Sequence, residues 1–281
     1  MVEHTDLERQ VGEHYAHSTG GDVLGAVLDA LDQLGRDTRA LRYEDLGGID
    51  HFHGGGRAAT RALARLGELA AGERVLDIGG GFGGPARTLA AEFGCLVTVL
   101  DPTPAFVEAG RALTARVGLS DRVVFERGSG TKLPFADASF DVVWTQNASM
   151  NIQDKAALAR EQFRVVRPGG RLVFQEVLAG PTPGELHYPV HWAREAATSF
   201  LVPPSFVRDL LRQSGFVERA WQDVSDETAA SQATPPPAGR PEVNAATIVH
   251  GPDADLMRAN TQRNQVEGRT RYLRAVFVRP A

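Results

Sequence analysis

The stretch Val75-Leu76-Asp77-Ile78-Gly79-Gly80-Gly81-Phe82-Gly83-Gly84 places a short apolar run directly before a cluster of glycines. The apolar run predicts a strand, and Pro85 stands where the first turn of a helix tolerates proline. Glycines between a strand and a helix let the backbone turn sharply and approach a ligand closely, because no side chain blocks the way. The stretch therefore predicts a ligand held against the main chain of a strand-turn-helix unit.

Strand and helix patterns alternate along the chain after this turn. Thr103 and Pro104 are typical of an N-cap and a first helical residue, and Ser205 is expected to cap a later helix. We predict strands at residues 75–78, 95–100, 123–126, 140–144, 171–177, 217–224 and 271–278, and later helices at 155–167 and 206–214. The alternation predicts an α/β fold with a doubly wound, seven-stranded sheet, mostly parallel, whose last two strands pair as an antiparallel edge.

The length and punctuation of the chain predict one large domain with additions. Residues 1–60 are polar and broken by glycine pairs, which indicates an N-terminal cap before a domain over residues 61–281. A proline-punctuated lid is expected within residues 179–215. Residues 226–268, which hold the proline run of 233–241, are predicted as a loop insertion.

Composition excludes several classes of function. Thirty Lys plus Arg against 35 Asp plus Glu leave a net charge of −5, so we expect no nucleic-acid partner. No apolar run approaches the roughly 18 to 20 residues that span a bilayer, and the start of the chain does not resemble a leader, so we expect a cytoplasmic protein without a membrane partner. Cys95 is the only cysteine and is expected to be buried and inert. Both a monomer and a homo-oligomer stay open.

Two acidic residues accompany the glycine turn. Asp101 ends the predicted strand that follows the turn, and an acid there accepts hydrogen bonds from both hydroxyls of a ribose. Asp77, two residues before Gly79, is placed to contact the ammonium group of a methionine moiety. The two acids and the turn, in this order, predict a nucleoside cofactor, S-adenosylmethionine.

An NAD-dependent oxidoreductase is the rival interpretation, because Gly79, Gly81 and Gly84 also satisfy the dinucleotide pattern. Three features favour the methyl donor: a long segment precedes the turn, Asp77 would face a pyrophosphate in a dinucleotide site, and no tyrosine has a lysine four residues later. A third alternative is a non-catalytic or repurposed fold that keeps the cofactor. Release of S-adenosylhomocysteine distinguishes it from a methyltransferase.

Residues 50–216 resemble the class I S-adenosylmethionine-dependent methyltransferases, whose fold is Rossmann-like. The stretch 75–83 resembles the first motif of that family, Gly128-Ser129-Gly130 its adenine-contacting loop, and residues 139–144 and 167–172 its later structural motifs. The resemblance implies that residues 61–281 form the donor-binding methyltransferase domain. It implies a donor site made of Asp77, Gly79, Gly81, Gly83, Asp101, Pro102, Ser129, Gly130, Gln146 and Asn147.

A closer resemblance is to the sarcosine and dimethylglycine N-methyltransferase-like branch of small-molecule enzymes. It rests on residues 144–148 and on the glycine-rich residues 51–57. The sequence departs from that branch at Asn151, where those relatives tend to carry histidine. A small amine or amino acid and a bacterial specialised metabolite, methylated on N, O or C, therefore both stay open as acceptor. Residues 145–148 lack the motif with which nucleobase amino-methyltransferases hold their target, which argues against DNA.

Methyl transfer from a sulfonium depends mainly on positioning, and a base is needed only where the nucleophile must lose a proton. The sequence does not identify that base. The candidates are His14, His17, His51, His53, His187, His191 and Glu176. We expect the acceptor to be contacted by Tyr15, His53, Asn151, His187 and His191. We expect no metal, because no third ligand accompanies His51 and His53.

Overall fold

The computed structural model describes residues 6–16, 18–233 and 243–281. A seven-stranded mixed sheet runs through it in the order β3-β2-β1-β4-β5-β7-β6. The strands are β1 (Arg74–Ile78), β2 (Leu96–Asp101), β3 (Val123–Arg127), β4 (Phe140–Gln146), β5 (Val166–Ala179), β6 (Val217–Asp223) and β7 (Thr270–Val278). The first five strands are parallel, and β7 pairs antiparallel with both β5 and β6. The predicted fold class is confirmed.

Ten helices flank the sheet within the described ranges. They are α1 (Asp6–Ala16), α2 (Val23–Gln33), α3 (Gly56–Leu66), α4 (Gly84–Phe93), α5 (Pro104–Arg116), α6 (Lys155–Val165), α7 (Pro204–Gln213), α8 (Ser225–Ala233), α9 (Ala245–His250) and α10 (Ala254–Val266). Leu63 of α3 and Leu89 of α4 are buried on one face of the sheet. Leu158 of α6 and Leu211 of α7 are buried on the other face. Apolar side chains on both faces of the central strands explain their near-continuous hydrophobic sequence.

The order in which successive strands are added to the sheet reverses between β1 and β4, although the strands stay parallel. From β1 the chain proceeds outward to β2 and β3, then returns to β4 on the other side of β1. Ligands of open α/β sheets bind in the crevice that such a reversal leaves at the carboxyl ends of the strands. The glycine turn, Asp101 and the end of β4 all lie at this edge.

The end of α6, the start of β5 and the start of α7 differ from the prediction. Helix α6 ends at Val165 rather than at residue 167, and β5 begins at Val166, so that Pro168-Gly169-Gly170 lies inside the strand. The irregularity is local, because Val166 pairs with Phe140 while the next pair is Val142 with Arg171. Helix α7 begins at Pro204 with Pro203 as its N-cap, not at residue 206 after Ser205, since proline suits a first helical turn.

The predicted loop insertion at residues 226–268 is wrong, because its described part folds into α8, α9 and α10. Helix α9 is fixed by a capping box in which Asn244 and Thr247 each bond the backbone N–H of the other. Its Ile248 and Val249 are buried with Val27 of α2. Residues 234–242, which hold most of the predicted proline-rich linker, lie outside the described residues.

Described parts of the cap and of the lid region meet at Asn151, which follows β4, through Tyr15 and the carbonyls of Trp192 and Thr198. Helix α7, which we had included in the lid, packs on the sheet through Leu211. Residues 180–203 are irregular and bury Val190 and Trp192 against Tyr272 of β7. Cys95 is buried, as expected, and burial raises the pKa of its thiol to about 12. No described helix has the length and apolarity needed to cross a membrane.

Candidate functional site

A cavity of about 290 Å³ opens at the carboxyl ends of β1, β2 and β4. Its walls contain most of the residues that the sequence singled out. The donor-site residues in the walls are Asp77, Gly79, Gly81, Asp101, Pro102, Ser129, Gly130, Gln146 and Asn147, and the acceptor candidates there are Tyr15, His53 and Asn151. The fold therefore brings into one cavity residues that are as much as 136 positions apart, from Tyr15 to Asn151.

The glycine turn needs residues without side chains for two separate reasons. Gly79 has φ +70°, a left-handed conformation that favours glycine. A Cβ on Gly79 would also stand 2.5 Å from the Cβ of Ala148, which follows β4. The backbone at Gly79 is thus held close to the end of β4, and the space beside it stays open to a ligand.

Asp101 joins the turn to the strand that follows it. Its carboxylate accepts hydrogen bonds from the backbone N–H of Gly81 and of Thr103, each at 2.9 Å. Burial raises the pKa of Asp101, and these two hydrogen bonds oppose the rise. Each carboxylate oxygen keeps a lone pair for a further donor, which suits a carboxylate that faces ribose hydroxyls.

Asp77 is the buried acid at the other end of the turn. Its side chain is almost fully buried at the bottom of the cavity, and Oδ2 has no hydrogen-bond partner among the described residues. Burial first, and then the charge of Asp101, raise the pKa of Asp77 to about 8. A buried carboxylate oxygen without a partner is unfavourable unless a donor completes it. The ammonium of a methionine moiety would supply such a donor.

Two amide side chains at the end of β4 also have a polar atom without a hydrogen-bond partner among the described residues. Gln146 Nε2 and Asn147 Oδ1 are buried and without hydrogen-bond partners in the described part of the chain. Asn147 has φ +55°, and its backbone N–H donates to the carbonyl of Gln175 at 2.8 Å. The strained backbone turns Asn147 toward the cavity, where a ligand's polar groups can satisfy both amides.

Tyr15 and Asn151 close the opposite side of the cavity. Tyr15 Oη donates to Asn151 Oδ1 at 2.8 Å, and Asn151 Nδ2 donates to the carbonyls of Trp192 and Thr198. Burial raises the pKa of Tyr15, so its hydroxyl stays protonated at neutral pH. One amide therefore ties α1, the turn after β4 and the irregular segment 180–203 together over the cavity.

Comparison with known proteins decides the family. A family model described as a methyltransferase domain matches residues 76–174. The 27-O-demethylrifamycin SV methyltransferase of Amycolatopsis mediterranei is 34% identical over 216 residues, 75% of this chain and 78% of that protein. The chain belongs to the class I S-adenosylmethionine-dependent methyltransferases.

Two further relatives agree with this assignment. The sarcosine/dimethylglycine N-methyltransferase of Halorhodospira halochloris is 30% identical over 171 residues, which are 59% of this methyltransferase and 61% of that protein. The solved structure of Haemonchus contortus phosphoethanolamine N-methyltransferase 2, in complex with phosphomonomethylethanolamine and S-adenosylhomocysteine, has a TM-score of 0.68 at 19% identity. It covers 85% of this chain and 57% of its own, and the likeness supports the fold.

S-adenosylmethionine is accordingly the cosubstrate of this methyltransferase, and the NAD interpretation of the glycine turn is set aside. The polar atoms of the cavity that have no hydrogen-bond partner among the described residues fit that molecule. Asp77 offers an acceptor for an ammonium, Asp101 offers acceptors for a ribose, and Gln146 and Asn147 offer amides near the methionine end. Ser129 lies beside the cavity, but its hydroxyl is paired with that of Thr131 at 2.8 Å.

Three residues that we had placed in the site of the methyltransferase do not line the cavity. Gly83 is the N-cap of α4 with φ +86°, and a Cβ there would stand 2.5 Å from the ring of Phe125, so Gly83 serves packing. The imidazole of His187 pairs with Glu267 on the far side of segment 180–203. His191 turns its ring away from the cavity onto that of His250.

His191 belongs to a buried histidine cluster made of His14, His191 and His250. The ring of His250 lies 5.2 Å from that of His14 and 5.5 Å from that of His191. His14 Nε2 also lies 3.0 Å from the backbone oxygen of His191. Burial, with the neighbouring imidazoles second, lowers the pKa of His250 to about 2 and that of His191 to about 4. The cluster joins α1, segment 180–203 and α9.

The remaining candidate bases of the methyltransferase have structural partners. His51 bonds the carboxylate of Asp50 at 2.6 Å and the hydroxyl of Thr88 at 3.0 Å. Burial alone would raise the pKa of Asp50, but His51 and the buried Arg87 lower it to about 2. Glu176 accepts hydrogen bonds from the backbone N–H groups that follow Asn147. His17 lies outside the described residues.

His53 is the one histidine in the walls of the described cavity. Its Nε2 lies 3.1 Å from Thr60 Oγ1, which is 3.0 Å from Gln146 Oε1. Burial, followed by the charge of His51, lowers the pKa of His53 to about 3, so the imidazole is neutral at pH 7. His53 is thereby linked to the end of β4 rather than free to accept a proton. The described residues contain no group of three or more side chains that could hold a metal ion.

Sequence reasoning missed the apolar part of the cavity wall. Leu7 and Val11 of α1, together with Phe52, Phe106 and Ile152, line it. A signal for two of them was present, because Leu7, Val11 and Tyr15 recur every four residues and therefore share one face of a helix. Phe52 and Ile152 lie in irregular segments, where no periodicity identifies a buried face.

Proposed function

We propose that this methyltransferase transfers the methyl group of S-adenosylmethionine to a hydroxyl oxygen of an apolar specialised metabolite. The observation that carries the proposal is the wall opposite the donor residues, which is made of Leu7, Val11, Phe52 and Ile152. A wall of this kind suits a large apolar acceptor, since ligand pockets gain most of their affinity from apolar surface. The rifamycin relative, whose name describes an O-methyltransferase of a specialised metabolite, supports the same choice.

Chemically, the bound donor supplies an electrophilic methyl group that is activated by the positive sulfur. The task of the protein is then to align an oxygen with that methyl at about 3 Å. As the O–C bond forms, the S–C bond breaks and S-adenosylhomocysteine leaves, while the hydroxyl proton passes to bulk water, because the one imidazole in the described wall is held by Thr60. In this proposal Tyr15 and Asn151 hold α1 closed over the acceptor, and neutral His53 keeps the adjacent wall polar without adding charge. In this proposal Leu7, Val11, Tyr15 and Phe52 cover the acceptor, and residues 180–203 support them through Asn151.

The proposal includes a small-molecule acceptor in the cytoplasm and neither nucleic acid nor membrane as a partner. The net charge of −5 supports it, because phosphate backbones and anionic lipids both attract basic surfaces.

Turnover with a panel of hydroxylated polyketides and phenols tests the proposal. We expect S-adenosylhomocysteine to form together with a product heavier by one methylene unit. A Val11→Trp variant should lose turnover but keep donor binding, because the indole fills the apolar wall and not the donor end. Val266→Trp is the matched control, since Val266 is 86% exposed on α10. Binding of an acceptor without formation of any S-adenosylhomocysteine would instead indicate a repurposed fold.

A further inference from the structure

The charged residues that line the described cavity are all acidic. They are Glu8, Asp50, Asp77, Asp101 and Asp154. No lysine or arginine is among the lining residues of the described chain. Two of the acids, Asp77 and Asp101, are buried at the donor end. The described wall therefore offers no positive charge to an anion.

Two cations beside lining residues, Lys155 and Arg87, have partners that hold them out of the cavity, and Arg127 donates from Nε to the carbonyl of Pro102. Lys155 donates from Nζ to the carbonyls of Ser149 and Ile152 at 2.5 Å each. Arg87 is fully buried against Asp50, with Nη2 3.1 Å from Oδ2. Neither side chain can turn toward an acceptor without leaving a buried oxygen unpaired.

Two other arginines do not line the cavity. Arg274 is 4% exposed and bonds Gln175 Oε1 and the carboxylate of Glu227. Arg57 lies over the ring of Tyr43 and donates from Nη2 to the Tyr43 carbonyl, although its buried Nε has no partner among the described residues. The chain has only two lysines, and the second, Lys132, does not line the cavity. His53, the histidine in the wall, is neutral at pH 7 because burial lowers its pKa to about 3.

We propose that the acceptor of this enzyme is uncharged, and that the cavity excludes molecules that carry a phosphate, carboxylate or sulfonate group. The inference deepens the proposed function and rests on it. An anion taken into this wall would lose its hydration without gaining an ion pair or a charge-assisted hydrogen bond. Only the donor itself would bring positive charge: its ammonium lies opposite Asp77 in the proposed site, and its sulfonium is absent from S-adenosylhomocysteine.

The charge of the wall also separates this enzyme from two of its relatives. Sarcosine and dimethylglycine carry a carboxylate, and phosphomonomethylethanolamine carries a phosphate. Proteins hold such groups with arginine, lysine or sets of backbone N–H groups. The wall formed by Leu7, Val11, Phe52 and Ile152 provides no cation for either group.

Two fluorescent probes with the same aromatic framework test the inference. N-phenyl-1-naphthylamine is neutral, and 8-anilino-1-naphthalenesulfonate differs from it by one sulfonate. Each is titrated into the full chain saturated with S-adenosylhomocysteine, and only the signal that Val11→Trp removes is counted. We expect the neutral probe to bind about tenfold more tightly or better, since a buried anion without a partner is costly. Equal affinity, tighter binding of the sulfonate, or no cavity-dependent binding of either probe overturns the inference.

A charge inserted into the wall provides the second measurement. Leu7 is half-buried on α1, so Leu7→Lys can place an ammonium at the cavity without burying it fully. We expect Leu7→Lys to favour the sulfonate probe, while the matched uncharged variant Leu7→Met keeps the preference for the neutral probe. An unchanged preference in Leu7→Lys contradicts the inference.

Donor binding is measured separately in the same samples. Titration of S-adenosylhomocysteine without probe reports the donor end alone. Absence of donor binding, or of methyl transfer to every hydroxylated compound, is a failure of the proposed function. Normal donor binding with no charge preference is a failure of this inference only.

Discussion

The carboxylate of Asp101 accepts a hydrogen bond from the backbone N–H of Gly81 at 2.9 Å. The acid that is expected to bind the ribose of the donor therefore also holds the last glycine of the triplet Gly79-Gly80-Gly81 in place. Its second bond, to the N–H of Thr103, orients the beginning of α5. Loop geometry and donor recognition consequently depend on one side chain.

Replacing Asp101 should weaken donor binding more than it weakens folding. We expect Asp101→Ala to bind S-adenosylhomocysteine about a hundredfold less tightly, because hydrogen bonds to a charged acceptor contribute roughly 1.5–3 kcal/mol each. Asp101→Asn keeps one acceptor oxygen, so its affinity for S-adenosylhomocysteine should lie between those of the wild type and Asp101→Ala. Calorimetric titration measures the affinities. Asp121→Ala, at an exposed acid, is the control, and wild-type affinity in Asp101→Ala would refute the ribose contact.

Donor affinity should rise with pH through the ionisation of Asp77. Burial and Asp101 raise the pKa of Asp77 to about 8, so the free enzyme carries a protonated Asp77 at pH 6, whereas a bound ammonium requires the carboxylate. Binding then releases a proton. Affinity should therefore increase roughly tenfold per pH unit between about pH 6 and pH 7.5.

Titrations of S-adenosylhomocysteine in buffers of different ionisation enthalpy measure that proton release. Asp77→Asn cannot ionise, so it should bind weakly with a nearly flat pH profile over the same window. A profile in Asp77→Asn as steep as in the wild type would assign the proton to another group.

Gly79 should be sensitive to substitution beyond its backbone conformation. Gly79→Ala places a methyl group against Ala148 and keeps φ at +70°, while Gly118 has φ +69° with nothing within 4 Å of an added Cβ. Both alanine variants should lose about 1–2 kcal/mol of unfolding free energy from the left-handed backbone. Only Gly79→Ala should also lose donor binding. Denaturant unfolding and donor titration separate the two effects, and equal donor affinity in both variants would contradict the close approach.

The protein should lose stability in mild acid through its buried histidines. Burial lowers the pKa of His250 to about 2, of His53 to about 3 and of His191 to about 4, all below the 6.5 of an unfolded histidine. At a pH between these lowered pKa values and 6.5, the unfolded chain binds more protons than the folded one, so acid favours unfolding. Each histidine should lower the free energy of unfolding by about 1.4 kcal/mol for every pH unit below about 6.5.

Unfolding measured from pH 7 to pH 5 checks this dependence. The nearby charged side chains of the histidine cluster, Arg194 and Arg258, stay positive throughout and add to the repulsion. His250→Phe fits beside Tyr15 and Phe52 and should flatten the profile. If His250→Phe loses stability in acid as steeply as the wild type, the cluster is not the cause.

The sequence allowed us to predict which of the proposed donor residues meet at one cavity, because they follow neighbouring strands. Asp77, Gly79 and Gly81 lie in one turn, and the ends of neighbouring parallel strands must meet at one edge of the sheet. Asp101 and Asn147 follow from the same rule. Strand identity and pairing direction were predictable for the same reason, since apolar runs and helical spacing are periodic.

The acceptor end was not predictable to the same degree because distant contacts build it. Tyr15 meets Asn151 across 136 positions, and no pattern in either segment announces the pair. His187 and His191 are close to each other in sequence, yet one pairs with Glu267 and the other packs on His250. Side-chain direction in an irregular segment depends on tertiary packing, which composition does not encode.

The histidine cluster has a consequence for how such enzymes diversify. His14, His191 and His250 come from three segments that are separated along the chain but share one buried stack of rings. A change in any one segment must suit the other two, so acceptor preference is inherited as a set. Chimaeras that import α1, residues 180–203 and α9 together from a relative should fold and carry over its selectivity, whereas a graft of one segment alone leaves mismatched rings in the interior.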